Sequence, residues 1–436
     1  MPWNVIAQIG EDNYYPPLDP TDVRFVATID KPGDSHGVAH DMLSDVFKAG
    51  LRPSQAAIDL LHIAAIAYTA DLRIWRGYNS EDAWSREIAI HAPVVDVELW
   101  DAAGPRLTEL LCFLTGDDWT VNFRSKVPTP EPTIGNSPIF PPDSVCLFSG
   151  GLDSYVGAID LLASGQHLAL VGHYGHTQRE QVDAYDALKP TYEAKTLPLW
   201  FFLVPPCSSK EQIVEPTMRA RSLLFLALGT SVASALAPGS AIHVPENGLI
   251  SLNIPLTFGR AGTHSTRTTH PHTIDLYREL LDALGIKVAL RTPYRFKTKG
   301  EMLRDCKDQE VLKSGIYSTM SCSRPQAGRF HKRPVGRHCG YCVPCIIRRA
   351  ALYSVGLDSE ERVLDVLSPE IKANEAAGYD KRAFLMAIAR LRGMSPLQVT
   401  SEIMSAGPLN TAEMDGLTGV FGRGMEEVER FLRQKQ

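Results

Sequence analysis

The sequence has little net charge and contains no long block of basic residues. Its 436 residues include 44 Lys and Arg against 50 Asp and Glu, which gives a formal net charge of −6. Proteins that coat nucleic acid use dense positive charge to displace counterions from the phosphates. The charge balance therefore argues against direct nucleic-acid binding. At roughly 100 to 200 residues per domain, the length suggests two to four domains.

Leader-like and membrane-spanning segments are also missing. The N-terminus has no basic stretch followed by an apolar run, so we expect no signal peptide. The stretch from Ser222 to Ile242 has no charged residue, but glycine, serine and proline interrupt it. Its helical part is shorter than the roughly 20 residues that a bilayer requires, which favours a buried helix followed by a turn. We therefore expect a cytoplasmic protein that makes no membrane contact.

Cysteine is scarce, with eight residues in the chain. Cys112, Cys146, Cys207 and Cys306 are scattered, whereas the other four lie between residues 322 and 345. This distribution differs from the disulfide framework of a small secreted protein. It favours a reducing compartment and a metal site.

Changes in composition divide the chain into five segments. We predict an N-terminal α+β accessory domain over residues 1–127, a proline-rich linker over 128–143, an α/β domain over 144–317, a cysteine-bearing segment over 318–355 and a helical C-terminal region over 356–436. In the first segment the apolar pattern predicts a helix over 54–70, strands over 87–91 and 94–99, and a helix over 107–114. No catalytic group of residues stands out there, so a scaffold or partner-binding role is the default interpretation.

Strand and helix patterns alternate from residue 144 onward. Short apolar runs predict strands over 145–148, 168–172, 199–204, 241–244 and 288–291, with helices between them. This alternation is typical of a parallel sheet covered on both faces, in which ligands bind beyond the carboxyl ends of the strands. The predicted fold class is therefore α/β, and a further helix over 381–391 packs on the core or on a partner.

A glycine loop follows the first of these strands and precedes a helix. Its sequence is Ser149-Gly150-Gly151-Leu152-Asp153-Ser154. Two glycines allow a sharp turn and a close approach to a ligand, while the serine hydroxyls and the first N–H groups of the helix offer donors to phosphate oxygens. No Gly-Lys-Ser/Thr follows, so the loop is not a Walker A motif. An ordinary capped strand-to-helix turn is the alternative interpretation.

In this context the loop resembles the PP-loop of the ATP pyrophosphatases, which have an adenine nucleotide alpha hydrolase-like fold. The resemblance implies that the loop residues Ser149, Gly150, Gly151, Leu152, Asp153 and Ser154 hold the β and γ phosphates of ATP, with Mg²⁺ offsetting the charge. It also implies that His173 and Tyr174, at the end of the second strand, lie near the adenosine.

The clustered cysteines have the spacing of a metal site. Cys339, Cys342 and Cys345 follow one another at three-residue steps, and Cys322 precedes them by 17 positions. Four thiolates suit a tetrahedral Zn²⁺ ion that pins a loop-rich segment and leaves no open position for water. The same spacing occurs in iron-sulfur proteins, and free structural cysteines are a third alternative.

Together the two motifs resemble the QueC family, the 7-cyano-7-deazaguanine synthases. Cys345-Ile346-Ile347-Arg348 continues the cysteine motif of that family, and Tyr174-Gly175-His176, Arg219-Ala220-Arg221-Ser222 and Thr298-Lys299-Gly300-Glu301 stand where the family has similar segments. The resemblance covers about Ser144 to Ala351. Ser222 replaces the usual Asn, and the N-terminal segment has no counterpart in the housekeeping enzyme. Pro245-Glu246-Asn247-Gly248 and the segment 265–272 are similar to the longer QueC-like proteins of bacterial anti-phage islands, especially the QatC group of the Qat system.

The resemblance implies an enzyme that activates a carboxylate with ATP. The carboxylate of 7-carboxy-7-deazaguanine would attack the α phosphate, pyrophosphate would leave, and an amine would displace AMP. The acceptor is ammonia, which leads to an amide and then a nitrile, or the amine of a partner protein encoded in the same defence operon. Asp153, Lys299 and Arg221 are the expected catalytic residues. A PP-loop enzyme that modifies a tRNA base and a nucleotide-sensing scaffold without turnover are the alternatives.

Several residues keep more than one interpretation. Lys299 neutralises phosphate charge or is a solvated first-turn lysine, and Arg221 contacts phosphate or faces solvent. Asn247 binds the edge of a purine-like ligand or belongs to a turn. A group of three histidines and one arginine has three interpretations. It is a basic patch for a carboxylate or an acidic partner, a second metal site, or a set of plain surface residues. Its members are His264, Arg267, His270 and His272.

Overall fold

The structure is a mixed α/β fold built around one large sheet. The computed structural model describes residues 3–9, 24–29, 37–79, 84–128, 141–174, 178–204, 215, 217, 219–256, 267–372 and 375–434. The ten strands found among these residues are β1 Trp3–Ile9, β2 Arg24–Ile29, β3 Gly37–His40, β4 Glu87–Val94, β5 Asp118–Ser125, β6 Ser144–Leu147, β7 Leu168–Tyr174, β8 Thr196–Val204, β9 Ala241–His243 and β10 Ala289–Arg291.

Helices connect and cover the strands. In the first half of the described chain they are α1 Ser44–Lys48, α2 Gln55–Arg73, α3 Arg76–Asn79, α4 Val97–Thr115, α5 Leu152–Ala163, α6 Arg179–Tyr192 and α7 Arg221–Ser234. The remainder are α8 Gly248–Ser251, α9 Pro271–Ala283, α10 Lys299–Arg304, α11 Gln309–Gly315, α12 Val343–Ser354, α13 Tyr379–Leu391, α14 Pro396–Met404 and α15 Met414–Leu432. Short 3₁₀ turns lie at Glu193–Lys195, Ile316–Ser318, Ala327–His331 and Thr411–Glu413.

The strand order in the second half of the sheet creates a switch point. The order across the sheet is β10-β9-β6-β7-β8-β3-β2-β1-β4-β5. The chain enters at β6, moves outward through β7 and β8, and then returns to the other side of β6 to form β9 and β10, all of them parallel. Connections that leave β6 and β9 in opposite directions open a crevice beyond the carboxyl ends of these two strands.

The first half of the sheet repeats this order in the opposite direction. Strands β3-β2-β1-β4-β5 are parallel to one another, and β3 joins them to the second half by antiparallel pairing with β8 at Ala39↔Val204 and His40↔Leu203. The carboxyl ends of the two groups of strands therefore lie at opposite edges of one continuous sheet. Residues 129–140 of the predicted linker lie outside the described residues.

One strand predicted from the sequence is wrong. Residues 94–99 do not form a strand, because β4 ends at Val94 and α4 begins at Val97. The Asp96 carboxylate accepts a hydrogen bond from the N–H of Leu99 at 3.0 Å and caps the helix, which ends the extended conformation. The predicted helix over 107–114 is the second half of this longer helix, whose buried face carries Trp100, Ala103, Leu107, Leu110, Leu111 and Leu114.

Helix α7 is buried along most of its length, and Arg221 at its start is its one charged residue. It packs against the sheet on one face and against α2 on the other, which explains why its sequence contains no charged residue between Ser222 and Ser234. Gly229 lies on the sheet side, where a Cβ atom would come within 2.8 Å of the Leu147 side chain. In the described part of the chain, no helix combines the length and the apolar character needed to cross a bilayer.

Candidate functional site

The glycine loop lies at the switch point of the sheet. It follows β6, and α5 begins at Leu152 with Gly151 as its N-cap residue. The Ser149 hydroxyl accepts a hydrogen bond from the N–H of Gly151 at 3.3 Å, and the Ser154 hydroxyl donates to the carbonyl of Gly151 at 2.9 Å. The first-turn N–H groups of an α-helix have no partner within the helix. The loop therefore combines hydroxyl and N–H donors around one turn, as a site for an anion requires.

Gly150 has a conformation and a position that exclude a side chain. Its φ angle is +77°, and a Cβ atom on it would lie 2.4 Å from the carbonyl carbon and oxygen of Glu180 in the first turn of α6. Its own carbonyl accepts a hydrogen bond from the N–H of Met320 at 2.9 Å. The loop backbone is therefore held between α6 and the segment that leads to the cysteines.

Asp153 connects three parts of the chain that are distant in sequence. Its Oδ1 accepts a hydrogen bond from the Lys299 ammonium at 2.5 Å. Its Oδ2 accepts one from the side-chain amide of Asn247 at 2.7 Å and another from the backbone N–H of Asn247 at 3.2 Å. Asn247 also caps α8 by accepting from the N–H of Ile250, so it is both a turn residue and a partner of Asp153.

Lys299 is buried, contrary to the interpretation as a solvated lysine. Only 4 % of its side chain is exposed. It is the first residue of α10, whose N-cap Thr298 forms a capping box with Glu301. This helix start directs the ammonium group towards the glycine loop, where Asp153 balances its charge.

A cavity of about 290 Å³ opens beyond the ends of β6 and β9. His173 and Arg221 line it together with Ser149, Asp153, Ser154 and Glu246. Arg221 donates from Nε to His173 Nδ1 at 3.0 Å and from a terminal nitrogen to the His173 carbonyl at 2.9 Å. Burial, and then the Arg221 charge, lower the pKa of His173 to about 3, so this imidazole is neutral. His173 Nε2 is buried, and the imidazole also interacts with the Leu203 backbone of the neighbouring strand β8.

Tyr174 is oriented differently from its neighbour in the sequence. Its ring lies against Phe202, with ring centroids 5.6 Å apart, and it is half-buried. The following residues Gly175 and His176 lie outside the described residues. Of the two positions predicted near an adenosine, the structure brings His173 to the cavity wall, whereas Tyr174 packs against Phe202 of β8.

A second cavity, of about 600 Å³, lies on the other side of the loop. Ser149, Asp153 and Glu246 line both cavities, and Lys299 lines the second. Its apolar walls come from three regions, namely α8 with the chain after it, the start of α12, and the C-terminal helices with Phe384, Phe421 and Met425. The two cavities therefore meet at the carboxylates beside the glycine loop.

Glu246 is a candidate site residue that sequence reasoning missed. Its Oε2 accepts a hydrogen bond from the Thr269 hydroxyl at 2.5 Å. Burial, and then the charge of Asp153, raise the pKa of Glu246. The signal was available, because Glu246 is the third residue after β9 and strand ends at a switch point carry ligand-binding residues.

The predicted basic patch is mostly a packing arrangement. His270 is fully buried, its Nδ1 accepts from the N–H of His272 at 3.2 Å, and burial lowers its pKa to about 3. The rings of His270 and His272 pack on Phe113, and the Arg267 guanidinium lies 4.3 Å from the centre of the Phe113 ring. These contacts anchor the start of α9 against α4, and His264 lies outside the described residues.

The four clustered cysteines form a site that could hold a metal ion such as zinc. All four sulfur atoms lie within 4.8 Å of one another, with Cys322 and Cys342 at 3.9 Å and Cys339 and Cys345 at 3.8 Å. A tetrahedron with Zn–S bonds of about 2.3 Å has sulfur-sulfur edges of about 3.8 Å. Sulfur atoms that converge on one point suit a single ion better than a cluster in which each thiolate binds its own iron atom.

Backbone N–H groups also point at these sulfur atoms. Cys322 Sγ accepts from the N–H of Arg324 at 3.2 Å and from that of Cys339 at 3.3 Å, and Cys339 Sγ accepts from the N–H of Cys342 at 3.3 Å. Such hydrogen bonds stabilise thiolates, the form that binds a metal. The four residues predicted as metal ligands thus come together, and they do so with the donor set that zinc prefers.

Arg348 connects the cysteine cluster to the glycine loop. It lies in α12, three residues after Cys345, and its side chain is fully buried. The guanidinium forms two hydrogen bonds to Glu360, and it also donates to Thr319 Oγ1 at 2.8 Å and to Ser321 Oγ at 3.4 Å. Ser321 Oγ in turn accepts from the N–H of Leu152 at 3.4 Å. The position of the loop therefore depends on the fold around the cysteines.

Comparisons of this chain with protein-family models and with curated proteins give no match.

Proposed function

We propose that this protein is an ATP-dependent, AMP-forming enzyme of the QueC-like type that activates the carboxylate of 7-carboxy-7-deazaguanine. One observation carries the proposal: Asp153, held by Lys299 and Asn247, lies on the wall between two cavities at the switch point of a parallel sheet. Two cavities that meet at a phosphate-binding loop suit a reaction between a nucleotide and a second substrate.

The residues around the loop fit the parts of Mg·ATP. The hydroxyl and N–H donors from Ser149 to Ser154 suit the β and γ phosphates. The carboxylates of Asp153 and Glu246 line both cavities and are the oxygen ligands that Mg²⁺ favours beside phosphates. The smaller cavity, which the neutral His173 lines, suits the adenosine.

The second substrate would enter the larger cavity. Its carboxylate oxygen would attack the α phosphorus, the bond from that phosphorus to the bridging oxygen would break, and pyrophosphate would leave. Lys299 stabilises the negative charge that develops on the phosphate oxygens. An amine would then attack the acyl carbon, lose a proton and displace AMP, which yields an amide.

The apolar walls supplied by the C-terminal helices favour a substrate larger than ammonia in the second step. A partner protein encoded in the same anti-phage defence operon, as in the QatC group that the sequence resembles, would supply such an amine. With ammonia the product would be a free amide or, after a second activation, a nitrile. The zinc ion that fits the four cysteines has a structural role in this proposal, since four protein ligands leave no position for a reactant.

Release of pyrophosphate tests the proposal. We expect release that depends on both ATP and 7-carboxy-7-deazaguanine, and a loss of about 100-fold or more in Asp153→Asn. Asp160→Asn is a matched control, because Asp160 lies in the same helix α5 but bonds to Tyr294 and to the N–H of Lys307. We expect this variant to keep its activity.

Mass spectrometry of the operon partners identifies the acceptor. A partner protein whose mass increases by the acyl group supports conjugation, and unshifted partners with a free nitrile contradict it. Release that occurs only with tRNA would instead indicate a base-modifying enzyme. ATP binding without release under any of these conditions would indicate a nucleotide-sensing scaffold and overturn the proposed reaction.

A further inference from the structure

The C-terminal helix α15 binds the turn that carries Lys299. The Glu427 carboxylate accepts a hydrogen bond from the Thr298 hydroxyl at 2.8 Å with one oxygen and another from the N–H of Gly300 at 3.2 Å with the other. Glu427 is buried, with 6 % of its surface exposed. One carboxylate of the C-terminal region therefore holds the residues on both sides of Lys299.

A second side chain of α15 reaches the same turn. Arg423 donates from Nε to Glu301 Oε1 at 2.7 Å and from a terminal nitrogen to the carbonyl of Phe296 at 2.8 Å. The other carboxylate oxygen of Glu301 accepts from the N–H of Thr298 at 2.8 Å and completes the capping box of α10. Arg423 thus fixes the partner of the N-cap, while Glu427 binds the N-cap residue itself.

The turn is shaped for this close approach. A Cβ atom on Gly300 would lie 2.2 Å from Glu427 Oε2 and 2.6 Å from the hydroxyl of Ser354 in α12. With any other residue at position 300, the Glu427 and Ser354 side chains would have to move away from the turn. The close fit between the two segments distinguishes this contact from an exposed ion pair, which would tolerate a side chain at this position.

The same helix also packs on the other partner of Asp153. A Cβ atom on Gly248, the residue after Asn247, would lie 2.9 Å from the Val420 side chain, and one on Gly424 would lie 2.9 Å from the Leu249 side chain. Helix α15 therefore contacts the segments of both Lys299 and Asn247. The two groups that hold Asp153 share one support from outside the α/β part of the chain.

We propose that Glu427 is a positioning residue, which sets the Lys299 ammonium against Asp153 by fixing the first turn of α10. Its effect on catalysis rests on the proposed function, whereas its effect on Lys299 does not. The lysine side chain has four rotatable bonds, and holding its Cα atom and helix start reduces the conformations that compete with the ion pair.

The reactivity of Lys299 towards an acylating reagent tests the geometry without any assay of activity. The intact protein is treated with limiting N-hydroxysuccinimide acetate, and acetylation at Lys299 and Lys297 is measured by peptide mass spectrometry. Lys297 is an internal reference, because its side chain is 40 % exposed and pairs with Asp305. We expect Glu427→Ala to raise the rate at Lys299 about tenfold, since a charged acceptor with two hydrogen bonds is lost, and to leave Lys297 unchanged.

Two further variants test whether the change at Lys299 is specific to the Glu427 carboxylate. Glu429→Ala removes a carboxylate that lies two residues away on the same helix. This carboxylate pairs with Arg433 and does not contact the turn, so we expect no change in the acetylation rate of Lys299. Glu427→Gln keeps one acceptor oxygen and the side-chain shape, so we expect an intermediate rate in a protein with the wild-type circular dichroism spectrum. Equal Lys299 reactivity in wild type, Glu427→Ala and Glu427→Gln would overturn the proposal.

A double-mutant cycle then tests the consequence for catalysis. If Glu427 acts through Lys299, Glu427→Ala lowers the kcat of pyrophosphate release about tenfold in the wild-type background and less than about twofold in Lys299→Ala, with an unchanged KM for ATP. Additive losses would mean that Glu427 only stabilises the fold, and would overturn the positioning role. A wild type without turnover, combined with the expected change in labelling, refutes the proposed function and leaves the positioning of Lys299 supported.

Discussion

Substitution of Gly150 by alanine should destabilise the protein and abolish nucleotide binding, for two separable reasons. The first is backbone conformation, because φ is +77° and the left-handed region costs an L-residue about 1 to 2 kcal/mol. The second is collision, because the new Cβ atom would lie 2.4 Å from backbone atoms of Glu180 that cannot rotate away. Overpacking of this kind costs about 1 to 3 kcal/mol, which gives about 2 to 5 kcal/mol in total.

Two other glycines of the chain separate these contributions. Gly165 has φ of +91°, and in the described structure a Cβ atom on it would have no neighbour within 4 Å, so Gly165→Ala measures the conformational cost alone. We expect Gly165→Ala to destabilise the protein by about 1 kcal/mol. Alanine also lowers the conformational entropy of the unfolded chain, which offsets part of the cost of the left-handed conformation. Gly151 has φ of −82° and its Cβ atom would meet Ser149 Oγ at 3.2 Å, so Gly151→Ala should change the stability by less than about 1 kcal/mol.

Urea unfolding followed by circular dichroism gives the free energies of unfolding, and calorimetry with ATP and Mg²⁺ gives the affinities. We expect the order of destabilisation to be Gly150→Ala, then Gly165→Ala, then Gly151→Ala. ATP binding should be lost in Gly150→Ala and kept in Gly165→Ala, because only the former displaces the loop from α6. A Gly150→Ala variant as stable as Gly165→Ala, with the ATP affinity of wild type, would refute both the contact with α6 and the assignment of the loop.

Three further predictions concern the groups around the loop. The purified protein should contain one zinc ion per chain, with sulfur neighbours at about 2.3 Å in X-ray absorption, and the metal should be lost in Cys342→Ser but retained in Cys112→Ser. A protein that binds no metal, or loses it in both variants, would contradict the cysteine site. The pKa of His173 lies at about 3 in the folded protein and near 6.5 in the unfolded chain. Between these pH values only the unfolded chain takes up a proton. The free energy of unfolding should therefore fall as the pH decreases from about 6.5 towards 3. His173→Asn should reduce that dependence by about 1.4 kcal/mol per pH unit in urea unfolding, and an unchanged slope would show that His173 is not neutral in the fold. Glu246→Gln should raise the Mg²⁺ concentration needed for half-maximal pyrophosphate release about tenfold, whereas an unchanged Mg²⁺ requirement would remove Glu246 from the metal-binding role.

Local sequence patterns were sufficient for the strand and the helix on either side of the glycine loop and for the cysteine cluster. The strand before Ser149, the helix after it and the four cysteines depend on residues close together in the chain, and the structure brings them together as predicted. The prediction over 94–99 was wrong because an alternating apolar pattern and an Asp cap compete within six residues, and the buried face of α4 outweighs the alternation. Propensity and periodicity do not measure that competition.

The partners within the site could not be predicted in the same way. Asp153 is 146 residues from Lys299 and 94 residues from Asn247, and Glu427 is 129 residues from Thr298. No periodicity spans such distances, and each of these side chains alone has an ordinary surface interpretation. For the same reason, the sequence after residue 356 shows no feature of catalysis. Its proposed contribution comes from the contacts that Glu427 and Arg423 make with the turn around Lys299.

The charges of the site explain how a chain with a net charge of −6 could bind a polyphosphate. Two cations near the loop are already engaged, since Lys299 binds Asp153 and Arg221 binds His173. A buried lysine without a counter-ion would be costly, so Asp153 stabilises it while no ligand is bound. In the proposed reaction Mg²⁺ attracts the Asp153 carboxylate and the phosphate oxygens attract the ammonium, so one ion pair is exchanged for two. Local exchange of this kind needs no basic surface, and it requires that Lys299 stay within reach of both partners, which is the constraint that α15 imposes.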